Sequence, residues 1–317
     1  MKKPLIFILF PLLTFGQSLF VEVNQLIEDK QYVKAEQIMS QYIVEYPKNL
    51  EGLELMGDAF SYQRKWDSAI KYYKQLVKAK EGNANYHYKY GGAVAMKAFT
   101  VSKLRALTMI GDIKGAFLKA AKLDPKHIDT RWALVELYVQ LPGIFGGSIK
   151  KSLKYADELQ QLSMVDGYLS KGYVYEFDDE PQLAEMYFKK AIEIGGSITC
   201  YDKLSSLYES QDQPENAITT IEEAHDRHNT NTLNYQIGKV CADYNVQLDK
   251  GERCLMAYIK DYTAKDGVPL EWAYFRLAQI YKNRINKQEA LRWINKALQT
   301  KKGFKQGIEE KNKILAL

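Results

Sequence analysis

The sequence predicts an all-α protein built from paired helices, and three observations support this prediction. Alanines recur at intervals of 33 or 34 residues, as between Ala35 and Ala69 and between Ala184 and Ala217. A small residue precedes the later alanines on a partner helix, as Gly57 precedes Ala69. The composition is 46% hydrophobic and 26% charged with only 8 prolines, which suits a large helical protein with ample apolar surface to bury.

Large residues stand at fixed distances from these alanines. Tyr73 follows Ala69 by four residues, and Leu76 follows after three more. Small residues let two helices approach closely, and the large residues then fill the space beside the contact. The first helices of successive pairs carry their small residue at Gly57, Gly91, Gly172, Ser205, Gly238 and Ala278.

This pattern resembles the tetratricopeptide repeat over almost the whole chain. The resemblance implies a right-handed α-solenoid of about eight helix pairs at residues 17–302, followed by a capping helix at residues 303–317 that covers the last apolar surface. The first pair, with an irregular leading helix, is expected to form an N-terminal cap. We predict units near residues 17–47, 50–82, 84–125, 128–164, 165–196, 198–229, 231–263 and 271–302.

Two consecutive units depart from the regular pattern. The third is ten residues too long, and its extra residues near 99–112 predict either longer helices or a protruding loop. The fourth contains a proline- and glycine-rich stretch at residues 142–148. A glycine-rich run before a helix can cradle phosphate, but a phosphate loop also needs a preceding strand and a lysine. We therefore favour a structural turn in which Pro142 ends one helix and Ser148 caps the next.

The first sixteen residues are predicted to form a secretory signal peptide. Lys2 and Lys3 precede an apolar run at residues 5–15, and small residues allow cleavage after Gly16. The alternative is an uncleaved anchor, which would need about twenty apolar residues. The sequence therefore predicts an exported protein, periplasmic in a bacterium with two membranes.

The sequence argues against an enzyme and predicts no cofactor and no metal site. His225 and His228 lie outside any zinc-binding signature, and no nucleophile elbow occurs. The three cysteines are too few for a disulfide framework. Cys241 and Cys254 fall on the two helices of one pair, so a bridge between them and two buried thiols are both open interpretations.

The resemblance implies that the first helix of each unit lines an inner, concave groove. Such a groove, with aromatic residues alternating with acids, suits a peptide or protein segment that carries apolar anchors and some basic charge. The alternative is that several of these aromatics pack against neighbouring helices. The groove residues are Glu54, Asp58, Tyr62, Tyr88, Trp132, Glu136, Tyr173, Glu176, Phe177, Tyr235, Trp272 and Phe275, and Asp202 falls on the same face.

We therefore expect a non-catalytic protein-interaction scaffold of the cell envelope whose partner is a protein or peptide. The alternative is a ligand-binding or accessory component of an envelope transport system, which a closed pore or a deep apolar cavity would favour. The net charge is +5, and from Lys282 onward ten basic residues stand against three acids. This basic end could contact anionic lipid headgroups or an acidic partner, although a solvated capping helix is the favoured interpretation. The near-neutral body predicts no nucleic-acid partner.

Overall fold

Helices account for the regular structure of this protein. The computed structural model describes the backbone of residues 12–317 and the side chains of residues 19–317 except that of Ala264; this part of the chain contains seventeen α-helices and no strand. Two single 3-10 turns lie at Gly143–Phe145 and Ala264–Asp266. The helices are α1 (Leu12–Glu28), α2 (Tyr32–Glu45), α3 (Leu50–Tyr62), α4 (Trp66–Ala79), α5 (Ala84–Ala98), α6 (Lys103–Leu123), α7 (Ile128–Gln140), α8 (Ile149–Leu162), α9 (Met164–Phe177), α10 (Pro181–Ile194), α11 (Ile198–Ser210), α12 (Pro214–His228), α13 (Asn231–Tyr244), α14 (Leu248–Lys260), α15 (Leu270–Asn283), α16 (Lys287–Thr300) and α17 (Lys305–Leu315).

The helices form two compact units. Unit 1 ends at Leu162 and contains α1–α8, whereas unit 2, Ser163–Leu317, contains α9–α17. Within each unit, each odd-numbered helix packs on the even-numbered helix that follows, and each pair packs on the next. This makes four pairs in each unit, and α17 covers α16 at the end of unit 2. The predicted all-α class of about eight helix pairs with a C-terminal cap is confirmed.

The repeating alanines and glycines lie where paired helices touch. Ala69 and Ala184 are fully buried. A Cβ atom built on Gly57 would lie 2.5 Å from Tyr73 Cε1, and one built on Gly172 would lie 2.5 Å from Phe188 Cδ1. Real Cβ atoms do not approach carbon this closely, so each glycine leaves the space that an aromatic ring of its partner helix occupies. The predicted helix-to-helix register is confirmed at these pairs.

Most pairs are joined by the same tight turn. One residue with a positive φ angle stands between the two helices of five pairs, and this left-handed conformation reverses the chain within three residues. Asparagine side chains then start several helices; for example, Asn49 Oδ1 accepts a hydrogen bond from Gly52 N at 2.8 Å. The left-handed residues of these five turns are Lys30, Arg64, Asp179, Asp212 and Ile285.

The third and fourth pairs have different connections. α6 has 21 residues, so the extra length of the third unit lies mainly in a longer helix. In the fourth pair, α7 ends before Pro142 and Ser148 Oγ accepts a hydrogen bond from Lys151 N at 3.2 Å. A Cβ atom at Gly147 would overlap the carbonyl oxygen of Leu141, so this turn requires glycine there. These contacts agree with the structural interpretation of residues 142–148.

The predicted signal peptide at residues 1–16 lies mostly outside the described residues. α1 begins at Leu12, and cleavage after Gly16 stays a prediction. Within the described part of the chain, no helix combines the length and the apolar character needed to cross a bilayer.

Candidate functional site

Within each unit the first helices of the pairs lie next to one another, and we call the face they form the inner-helix face of that unit. In unit 1 it comprises α3, α5 and α7, and in unit 2 it comprises α9, α11, α13 and α15. The twelve predicted groove residues differ widely in exposure. Tyr62, Glu136 and Phe177 are exposed, whereas Tyr235 and Phe275 are buried in the core of unit 2. The other seven are partly buried: Glu54, Asp58, Tyr88, Trp132, Tyr173, Glu176 and Trp272.

In unit 1, Lys89 of α5 neutralises the two predicted acids of α3. Its Nζ lies 2.6 Å from Glu54 Oε1 and 2.7 Å from Asp58 Oδ2. Burial opposes the charge of Lys89, but the adjacent Asp58 and Glu54 carboxylates outweigh it and raise the pKa of this ammonium group. Asp58 also accepts a hydrogen bond from the Tyr73 hydroxyl at 2.6 Å. These acids therefore join neighbouring helix pairs and present little free negative charge to a ligand.

The aromatic residues of this face in unit 1 also contact neighbouring rings. The Tyr62 ring stacks on Tyr32 with centroids 5.1 Å apart. Tyr88 lies 5.2 Å from the His127 ring and 6.2 Å from Phe117, and burial raises the pKa of its hydroxyl. Tyr62 keeps more than half of its surface exposed, at 57%, so it remains available to a ligand.

In unit 2 the predicted aromatic residues divide into two groups. Trp272 meets the Phe275 and Phe304 rings edge-on, so it packs toward the capping helix. Tyr173 and Phe177 lie on α9, and Phe177 is 54% exposed. The ammonium group of Lys203 lies 6.0 Å from the centre of the Tyr173 ring. On this face of unit 2, the predicted aromatic side chains that keep exposed surface near α11 therefore lie on α9, and we call Tyr173 and Phe177 the aromatic edge.

A cleft of about 360 Å³ opens between α11 and α13. Both of its walls are first helices of their pairs, as the predicted groove requires. Most of its lining side chains are polar. They are Asp202, Ser205, Ser206 and Glu209 from α11, Thr232, Tyr235, Gln236 and Lys239 from α13, with Ile221 and Val268 beside them.

Asp202 is the distinctive group of this cleft. Burial raises the pKa of its carboxyl group, although a hydrogen bond from Gln236 Nε2 at 3.2 Å partly opposes the shift. The oxygen of the same amide, Gln236 Oε1, is buried and accepts no hydrogen bond from the described residues. The cleft thus holds two acceptors, one of them a partly desolvated carboxylate, that a donor from a ligand could satisfy.

Two other acids on this face of unit 2 have cationic partners, whereas Glu176 of α9 has a pKa raised by burial and only partly offset by the charge of Lys203. Glu209 Oε2 lies 2.7 Å from Lys239 Nζ. Asp243 forms an ion pair with Arg276, and burial raises the pKa of the Asp243 carboxyl group. The sequence pattern of the groove did not predict the cations Lys89, Lys239 and Arg276. The available signal was opposite charge on successive first helices at a spacing of 30 to 33 residues.

A second cleft, of about 300 Å³, lies at the start of α4 in unit 1. Its lining includes Arg64, Lys65 and Lys97. Lys65 pairs with Glu36 at 2.7 Å, and Lys97 pairs with Asp67. These ion pairs link α4 with the helices on either side of it, which gives the cleft a structural role.

The cysteines form no disulfide bond among the described residues. Cys241 and Cys254 are free thiols, and burial raises the pKa of Cys241 to about 12. Among the described residues no group of histidine, cysteine and acidic side chains is placed to hold a metal ion.

In the basic segment that begins at Lys282, Lys282 and Lys313 pair with the buried Glu310 of α17. Part of the basic end therefore fastens the capping helix.

Comparison with known proteins identifies the repeat. Residues 53–84 and 165–194 each match a tetratricopeptide repeat family model. No curated protein matches the sequence. A tetratricopeptide repeat protein from Parabacteroides merdae ATCC 43184 has a similar fold at 13% identity, with a TM-score of 0.52 over 94% of this chain and 98% of that chain.

Two further solved structures are less similar. YrrB, described as a tetratricopeptide repeat protein with an unusual peptide-binding site, is 19% identical over 62% of this chain and 98% of its own, with a TM-score of 0.43. TTC0263, a thermophilic tetratricopeptide repeat protein from Thermus thermophilus, is 15% identical over 77% of this chain and 98% of its own, with a TM-score of 0.42.

Proposed function

This chain belongs to the tetratricopeptide repeat proteins, whose fold is typical of non-catalytic protein-interaction scaffolds, and we propose that it binds a peptide or protein segment on the inner-helix face of unit 2. The observation that supports this proposal is the cleft between α11 and α13. There Asp202 has an amide as its hydrogen-bond partner, whereas Glu209 and Asp243 on the same face are joined to cations. The cleft therefore offers one carboxylate for recognition.

The chemistry of Asp202 favours a basic group on the bound segment. A lysine, an arginine or a terminal amine could donate to the Asp202 carboxylate and to Gln236 Oε1 together. A hydrogen bond to a charged group contributes about 1.5–3 kcal/mol. Because folding has already removed part of the water around Asp202, less desolvation of this carboxylate remains to oppose binding.

The aromatic edge on α9 favours an apolar residue on the same segment. Tyr173 and Phe177 lie on the helix next to α11, and Phe177 is more than half exposed. Aromatic side chains bury a large area at low entropic cost and dominate many protein interfaces. A segment with a basic residue and an apolar residue would engage both Asp202 and this edge.

Site-specific crosslinking tests this function. A photoreactive amino acid placed at Ser206, an exposed residue in the cleft, is expected to capture the partner. The matched control is Thr219, an exposed residue on α12 outside the cleft lining. Asp202→Asn should reduce capture from Ser206. Equal capture from both positions, unaffected by Asp202→Asn, would refute binding in the cleft.

We also propose that this scaffold acts in the cell envelope. The basic start and the short apolar run of residues 1–16 support export. Cell fractionation with N-terminal sequencing should find a chain that begins at Gln17 outside the cytoplasm, and a cytoplasmic chain that retains Met1 would contradict export. A transport component would need a deep apolar cavity, whereas the cleft beside Asp202 carries the charged residues Asp202, Glu209 and Lys239 in its walls.

A further inference from the structure

The turns of the third and fourth helix pairs are enlarged at the same edge of unit 1. In the second pair, α4 begins at Trp66, seven residues before Tyr73, which faces Gly57. In the third pair, α6 begins at Lys103, fourteen residues before Phe117, which faces Gly91. α6 therefore starts 14 − 7 = 7 residues earlier relative to the helix contact, and these residues extend it by roughly 10 Å.

The enlarged turn of the fourth pair lies against this longer helix. Lys114 of α6 has its Nζ 5.8 Å from the centre of the Tyr138 ring, and Lys151 Nζ lies 5.4 Å from the same ring. A Cβ atom at Gly146 would lie 3.3 Å from Lys114 Nζ. The turn of the fourth pair therefore lies beside α6, the helix that begins at the turn of the third pair.

Large apolar side chains project from both turns. Phe99 is 72% exposed, Leu104 is 80% exposed and Ile144 is 87% exposed. A single exposed apolar side chain is ordinary on a protein surface. Phe99 and Leu104 lie five residues apart at the turn of the third pair, and Ile144 lies on the turn that contacts α6, so unit 1 carries three exposed apolar side chains at these two turns.

The charge around these side chains is positive. Between Glu81 and Asp112 the sequence contains four lysines or arginines and no acid, and two of these, Lys89 and Lys97, are paired with acids of neighbouring helices. Between Glu136 and Asp157 it contains three lysines and no acid, and Lys154 is paired with Glu158. Lys103 and Arg105 at the start of α6, and Lys150 and Lys151 at the start of α8, are exposed. Asp112 is the acid closest in sequence to the start of α6, and Asp67 of α4, which lies near this turn, is paired with Lys97.

We propose that this edge surface, formed by Phe99, Leu104 and Ile144 with Lys103, Arg105, Lys150 and Lys151, rests on an anionic lipid membrane. The cations attract negatively charged headgroups, and the projecting apolar side chains enter the boundary between headgroups and acyl chains. A groove-bound protein helix would instead require a concave apolar site. The proposal concerns unit 1 and is independent of segment binding in unit 2.

Vesicle cosedimentation tests the edge surface. The chain is isolated from cells, its N-terminus is determined by mass spectrometry, and each variant is used with the same N-terminus. It is mixed with phosphatidylcholine vesicles that contain or lack phosphatidylglycerol. We expect binding that requires phosphatidylglycerol and weakens as salt is added. One basic residue near an anionic surface changes partitioning about fivefold, so K103Q/R105Q should bind about 25-fold more weakly.

Three further variants distinguish the edge surface from general effects of substitution. F99S/L104S/I144S should bind at least about tenfold more weakly, because burying apolar groups at the interface contributes to partitioning. The controls V44S/I285S and K302Q/K305Q change exposed apolar and basic residues elsewhere, and each should bind within about twofold of the unaltered chain. Circular dichroism should show unchanged helicity in all variants.

Three results would overturn the proposal. The first is equal binding to both kinds of vesicle. The second is a loss of binding in the control variants as large as that in the edge variants. The third is an absence of vesicle binding together with a protein partner that crosslinks at Phe99, since the edge surface would then be a protein-docking surface.

Discussion

A methyl group added at Gly172 tests the packing rule on which the fold depends. The new Cβ atom would lie 2.5 Å from Phe188 Cδ1 and 2.9 Å from Phe188 Cζ, and the Phe188 ring is fully buried. Overpacking a core costs about 1–3 kcal/mol. Alanine is a better helix former than glycine by about 1 kcal/mol. Gly172→Ala should therefore lower the local stability of α9 and α10 by up to about 2 kcal/mol.

Gly92→Ala provides the matched control. Gly92 lies inside α5, and a Cβ atom there would meet nothing within 4 Å. This variant gains helix propensity without overpacking, so the two variants should differ by the overpacking cost alone, about 1–3 kcal/mol. Hydrogen exchange of peptides from α9/α10 and from α5/α6 measures the local opening free energies.

A second substitution identifies the cause of the effect. If the Phe188 ring causes the clash, Phe188→Leu should cost less in the Gly172→Ala chain than in the unaltered chain, with a coupling of at least about 0.5 kcal/mol. Equal stabilisation by Gly172→Ala and Gly92→Ala would refute the assigned register.

Four further changes test other parts of the structure. Ala184→Glu should destabilise unit 2 by about 3 kcal/mol or more in urea unfolding, because it puts a charge at a fully buried helix contact. Lys89→Met should destabilise unit 1 by about 1–2 kcal/mol at neutral pH, because two partly buried carboxylates lose their cation; equal stability would contradict a structural role for this ion pair. Asp202→Asn should stabilise unit 2 at pH 7, because burial raises the pKa of Asp202 and so disfavours its charged form in the folded chain. The stability that the protonated carboxyl group contributes is fully present below its ordinary pKa of 3.8 and is lost as the pH rises through the folded pKa. The free energy of unfolding should therefore increase less on acidification in the variant than in the unaltered chain. Trp132→Ala should weaken partner capture about tenfold with helicity unchanged if the predicted groove extends into unit 1, and identical capture would remove Trp132 from the site.

The helix pairs could be predicted because their contacts repeat along the chain. Each contact between Gly57 and Tyr73, or between Gly172 and Phe188, depends on two residues at a fixed sequence separation. Such a periodic constraint is visible in one sequence. The length of α6 was harder to predict, because an insertion breaks the period without showing whether the extra residues continue a helix or form a loop.

The candidate site could be predicted only in part, because position on a helix does not determine exposure. Tyr173 and Tyr235 both fall on first helices, yet Tyr173 is only partly buried and Tyr235 belongs to the core. Their environments depend on the side chains of neighbouring pairs. The charge of the groove depends on such neighbours as well, since Lys89 comes from the pair that follows Glu54 and Asp58.

The ion pairs across successive first helices explain why one acid can dominate recognition. Glu209 with Lys239 and Asp243 with Arg276 have their charges compensated within the fold, so a ligand cation would have to compete with an existing partner. Asp202 has a similar spacing of 34 residues to its partner on the next first helix, but that partner is Gln236, an amide. Because Gln236 is an amide where the other two pairs have a cation, the charge of the Asp202 carboxylate can be compensated by a bound segment. We therefore expect Gln236→Lys to place an internal cation beside Asp202 and to abolish partner capture from Ser206 while strengthening the fold.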